Sequence, residues 1–208
     1  MSTSFSALRQ FVRRTSEAEQ CEMCSRELGV MHQHLLEPAS RKLLCACDAC
    51  AILFNNQTKY KRVPRRIRYL SDFRMTDSQW DGLMMPINMA FFFKSTPQGH
   101  VVALYPSPAG ATESLLSFDT WEEIEIENPV LFEMESDVEA LLVNRIGHAR
   151  GFTEPEYYMV PIDECFKLVG LIRTRWSGLS GGTIVWRDIG QFFNDLKERS
   201  PMVGEHHA

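Results

Sequence analysis

Residues 21–54 read CEMCSRELGVMHQHLLEPASRKLLCACDACAILF and hold five of the chain's six cysteines and two of its six histidines. Two pairs organise the stretch: Cys21 with Cys24, and Cys47 with Cys50. Each Cys-x2-Cys turn aims two sulfurs at one point, so two turns supply four thiolates for a tetrahedral ion. That donor set suits zinc, or iron in a rubredoxin-like site. The 22 residues between the pairs read as a β-hairpin, with VMHQHLL and RKLLCAC flanking the turn EPAS. A module of about 40 residues buries too little surface to fold alone, so a structural ion is sufficient reason for the four cysteines. Cys21, Cys24, Cys47 and Cys50 are therefore the expected metal ligands, with zinc favoured over iron.

Cys45 and the two histidines are surplus to that set. Pairing Leu36 with Arg41 across the turn places His32 opposite Cys45 and His34 opposite Leu43. Cys45, His32 and His34 are then candidates for supporting or alternative ligands. The plainer reading is a small buried thiol and a histidine bonded to a carbonyl, and a slip of one residue would invert every face.

At 208 residues, the chain is long enough for one good hydrophobic core and a small appended module. Its 44% apolar and 24% charged residues are ordinary for a soluble globular protein. A net charge of −5 gives no global attraction to nucleic acid or to an anionic membrane. MSTSFSALRQFVRRT lacks the apolar run of a secretory signal, and no apolar run approaches the roughly 20 residues that span a bilayer. A cytoplasmic protein with reduced cysteines is expected, and in that setting clustered cysteines point to metal.

Five segments follow: a helical arm over 1–18, the cysteine-rich ribbon over 19–58, a basic connector over 59–69, an α+β domain over 70–200 and a tail over 201–208. In the larger domain, TDSQWDGLM reads as a helix capped by Thr76 or Asp77, and INMAFFFKSTPQGHVVALYP as a hairpin. SFDTWEEIEIENP, ESDVEALLVNRI, IDECFKLVGLIRTRW and TIVWRDIGQFFNDLKER read as helices, and EYYMVPI as a strand. Strands and helices without strict alternation predict α+β rather than a doubly wound sheet.

Other candidates carry less. Six cations in ten residues of the connector suggest nucleic acid, but few aromatics accompany them. The alternatives are a solvated linker or docking on the acidic segment 121–127. YPSPAGATES, residues 105–114, reads as a loop in which Ser107, Gly110 and Glu113 are candidates for partner or anion contact. Cys165 falls on the inner face of a helix, where it belongs to the core. No catalytic set emerges.

CEMC, HQHLLE, RKLLCACDACAILF, FFFKS, YPSPAGATESLL, DVEALLVNR, VPIDECFKLVGLIRTRW and FFNDLKER together resemble an uncharacterised bacterial domain family, over roughly residues 20–198. Members of that family are encoded beside actinobacterial-type, high-affinity NiFe hydrogenases. The resemblance implies a partner among such hydrogenases or their maturation factors, and a role in assembly, maturation or coupling. It supplies no catalytic residues. A non-enzymatic accessory protein is the resulting expectation, with a rubredoxin-like electron carrier and a nucleic-acid-binding ribbon as rivals.

Overall fold

The computed structural model describes residues 19–55, 59–148 and 151–201. The arm expected over 1–18, and all of the expected tail but Pro201, lie outside the described residues. The architecture is mixed α+β, with two sheets whose strand pairings are all antiparallel.

The small sheet has the order β2-β1-β3, from β1 (Gln33–Glu37), β2 (Lys42–Ala46) and β3 (Lys61–Arg62). Helix α1 (Asp48–Leu53) follows β2. The hairpin is where the sequence placed it, but its register differs. Glu37 pairs with Lys42, Leu36 with Leu43 and His34 with Cys45. The loop is therefore Pro38 to Arg41, and Arg41 takes a left-handed conformation (φ 57°) instead of joining the strand. The expected faces survive this shift of two positions, but His34 replaces His32 as the residue opposite Cys45.

The large sheet has the order β4-β9-β8-β5-β6-β7. Its strands are β4 (Arg68–Tyr69), β5 (Met89–Ser95), β6 (His100–Ser107), β7 (Gly110–Ser114), β8 (Glu139–Asn144) and β9 (Glu156–Pro161). Helices cover both faces. On one, Phe91, Phe93, Leu142, Tyr158 and Val160 pack with α4 (Ile162–Arg175) and α5 (Gly182–Glu198). On the other, Phe92, Leu141, Val143 and Met159 meet Trp80 of α2 (Asp77–Gly82), Trp121 and Ile124 of α3 (Phe118–Glu127) and Leu131 of a 3-10 turn (Pro129–Glu133). Thr76 caps α2 in a capping box with Gln79.

Burial on both faces explains a correction. ESDVEALLVNRI reads as a helix, yet Glu139–Asn144 is β8 in the middle of the sheet. A strand covered on both sides is apolar at consecutive positions, and such a run is degenerate with a buried helix. A second correction concerns YPSPAGATES. The expected loop is the end of β6, a tight turn and the edge strand β7. Gly110 (φ 125°) supplies the turn's unusual backbone, and Pro106 sits where β6 reaches the sheet edge.

The connector is a clamp rather than a free linker. β3 pairs with β1 in the small sheet, and β4 pairs with β9 in the large one. Three of its cations, Lys61, Arg66 and Arg68, bind residues 133–139 rather than the acidic segment at 121–127. Lys61 Nζ lies 2.7 Å from Asp137, Arg68 donates to Glu133 at 2.6 Å, and Arg66 donates to both oxygens of Glu139 at 3.0 and 3.2 Å. The Glu139 side chain is fully buried, and its other hydrogen bond comes from the Glu135 N–H. An ionised carboxylate at such a site needs its cation. Arg66→Ala is expected to destabilise the protein by about 2–3 kcal/mol in denaturant unfolding, and Arg66→Lys to restore it only in part, because lysine lacks the two-pronged donor. A loss below about 0.5 kcal/mol would refute this account of the clamp.

Candidate metal centre

The first cysteine pair sits in a turn pinned by backbone bonds. Cys21 N–H donates to Arg26 O (2.8 Å), Ser25 N–H donates to Cys21 O (2.7 Å), and Ser25 takes a left-handed φ of 59°. The second pair is not an equivalent turn. Cys47 caps α1 with extended backbone, and Cys50 lies in the first helical turn. A spacing of three on a helix brings both sulfurs to one side. The hairpin folds the two pairs together: Glu22 N–H donates to Cys45 O at 2.9 Å, and Cys45 N–H to the Glu22 carboxylate at 2.8 Å.

The result is four sulfurs, of Cys21, Cys24, Cys47 and Cys50, all within 4.8 Å of one another. Cys24 Sγ and Cys47 Sγ are 3.8 Å apart, and tetrahedral Zn–S bonds place sulfurs about 3.8 Å apart. Such a cluster can bind a metal ion. Leu35, Leu44, Ala46 and Ala51 pack around it, while Cys24 alone of the four is exposed. Cys21 and Cys50 are shifted in opposite directions. Burial raises Cys21, but N–H groups of Cys47, Met23 and Cys24 outweigh it and hold that thiol near 6. Burial and the neighbouring sulfurs push Cys50 up to about 12. Four thiols this close cannot all ionise without a cation among them.

His32, His34 and Cys45 form a separate group, their ligand atoms also within 4.8 Å of one another. They lie on the hairpin's other face, which turns toward the large sheet. Leu36 there joins the main core and Leu43 packs against it. His34 Nδ1 lies 2.8 Å from Asp163 Oδ2 at the start of α4. Burial, then Glu19 and Glu22, raise the Cys45 thiol. The group lines a cavity of about 390 Å³, shared with Arg65, Asp163, Glu164 and Arg199. Asp163 and Glu164 were missed in the sequence. Acidic residues are ordinary in a first helical turn, and 129 positions separate Asp163 from His34.

Ser107 and Gly110 are engaged in their own turn. The Ser107 hydroxyl donates to Gly110 O at 2.9 Å and accepts from Ala109 N–H. Ser107 also edges an apolar cavity of about 770 Å³ with Phe152, Trp176 and Trp186. Glu113 pairs with Arg41 of the hairpin loop at 3.0 Å. Cys165 is fully buried, and burial raises its thiol far above the ordinary range.

At the cavity wall, burial raises the Glu164 carboxyl, but Arg199 and Lys167 outweigh it and hold it below its usual 4.5. A depressed folded value stabilises the protein above 4.5 and gives that stability up as pH falls through the folded value. The stability advantage of the native protein over Glu164→Gln is expected to shrink between about pH 5 and about pH 3 in denaturant titrations. An advantage that stays constant across that window would refute the pairing.

No helix among the described residues is long and apolar enough to cross a membrane. No curated protein and no solved structure matches the chain. Residues 20–200, which include both cysteine pairs, His32, His34 and both sheets, match one family, and the chain belongs to that family of unknown function, DUF5947.

Proposed function

We propose that the protein is a non-enzymatic metal-binding accessory protein whose four-cysteine cluster holds a structural zinc ion. The observation that carries this reading is the convergence of four sulfurs within 4.8 Å from two separate elements. Cys21, Cys24, Cys47 and Cys50 would be the ligands, and a four-thiolate set leaves no position for substrate. The core around them is small, so ion binding would supply folding energy to this part of the chain. Its role would be docking to a partner protein, with the apolar cavity beside Ser107 as the contact region. The resemblance to proteins encoded beside NiFe hydrogenases supports a hydrogenase, or one of its maturation factors, as that partner.

Two rivals remain distinct in measurement. The same four sulfurs holding iron would make an electron carrier. A nucleic-acid role would draw on the connector, but Lys61, Arg66 and Arg68 are engaged in internal ion pairs.

Metal analysis and a visible spectrum of protein purified without added metal, after dialysis against a mild chelator, test the assignment. One retained, colourless zinc per chain is expected. Cys24→Ser or Cys50→Ser should release it and open residues 19–55 to proteolysis while the large sheet stays protected. Retained metal in both variants would sink the four-sulfur assignment, and iron with reducible thiolate charge-transfer bands would replace zinc by electron transfer. Calorimetry with a purified hydrogenase and its maturation factors tests the partner, and absence of binding to all of them would remove that role.

A further inference from the structure

We infer that His32, His34 and Cys45 form a second transition-metal site, open to solvent and separate from the four-cysteine cluster. His32 Nδ1 lies 3.0 Å from Gly29 O and 3.5 Å from the Glu19 carboxylate, and both of these only accept. His32 therefore carries its proton on Nδ1. His34 Nδ1 lies 2.8 Å from the Asp163 carboxylate, so it also carries its proton on Nδ1. Both Nε2 atoms are then left with a bare lone pair, and they lie 3.2 Å apart. Two lone pairs at hydrogen-bond distance repel unless a cation sits beside both.

A metal satisfies that geometry. Two imidazoles bound tetrahedrally at about 2.0–2.1 Å place their nitrogens about 3.3 Å apart. The rings stand edge to face, at 89°. Cys45 Sγ and one ring nitrogen of each histidine lie within 4.8 Å of one another, so the thiol completes three donors. Asp163 gives His34 the carboxylate partner typical of metal-bound histidine. Its other oxygen, Oδ1, is buried with no hydrogen-bond partner among the described residues. Such a carboxylate is placed to act on His34 rather than to satisfy itself.

Three donors leave one position, and all three residues line the 390 Å³ cavity. A closed four-thiolate site holds a chain together, whereas a three-donor site admits water or a small anion. The donor set of two nitrogens and one sulfur suits zinc, cobalt(II), nickel(II) or copper, and not magnesium or calcium. The second ion would therefore be exchangeable, within reach of a small ligand or of a partner that delivers or removes it.

The test is a cobalt(II) titration of the demetallated full-length chain, read by visible absorption and metal count. The native chain should take two ions per chain with distinguishable spectra. His32→Ala, His34→Ala and Cys45→Ser should each take one, keeping the four-sulfur spectrum, which also certifies that they fold. Cys24→Ser removes the other spectrum, so failure of either site is seen independently. Asp163→Asn should keep both ions but weaken the second about 10–100-fold. Azide should shift only the second spectrum. A single ion in the native chain, or two ions in the three variants, would overturn the site. A second spectrum indifferent to azide would overturn its open position. If the two histidines share a proton instead, the native chain takes one ion and the inference fails.

Discussion

The alternation of side chains along one five-residue strand holds the four-cysteine cluster apart from the group of His32, His34 and Cys45. In β1, Leu35 faces the four-cysteine cluster while His34 and Leu36 face the large sheet, and β2 repeats the division with Leu44 against Leu43 and Cys45. Successive strand residues point to opposite faces, so a slip of one position would put a histidine among the cysteines and a leucine in the cavity. The register is fixed by burial on both sides at once. Leu35 is fully buried in the small core, and Leu36 is almost fully buried in the large one.

That double burial makes the small sheet depend on the large one. The connector supplies a strand to each sheet, and three of its cations reach into residues 133–139. Asp137, itself buried, collects Lys61, the Thr96 N–H and the Thr96 hydroxyl. His34 and Asp163 add a third tie, between the hairpin and the start of α4. Polar groups buried at a junction must all be satisfied together, so these ties favour one mutual placement of hairpin and sheet.

Much of this was legible in the residues, and the failures have physical causes. Two Cys-x2-Cys pairs around a hairpin announce convergence because covalent spacing alone brings each pair together. The helices with one apolar face, α4 and α5, were readable because half of each is solvated. β8 was not, because strands buried on both faces lose the period that distinguishes them from helices. β7 was hidden by proline, glycine and serine, which an edge strand tolerates. The hairpin register turned on Arg41 adopting a left-handed backbone, for which an arginine gives no local signal. The partners of the connector's cations, and Asp163 beside His34, are long-range pairings that only the assembled sheets reveal.

The uneven exposure of the four sulfurs has a chemical consequence. Cys21, Cys47 and Cys50 are walled in by Leu35, Leu44 and Ala51, whereas Cys24 meets solvent. A peroxide can reach Cys24 first, and a sulfenic acid there is a poor ligand for a soft ion. Oxidative damage to this protein would thus have a defined entry point and order, with one sulfur lost before the rest, and the neighbouring Cys47 sulfur, 3.8 Å away, is close enough to trap the oxidised atom as a disulfide.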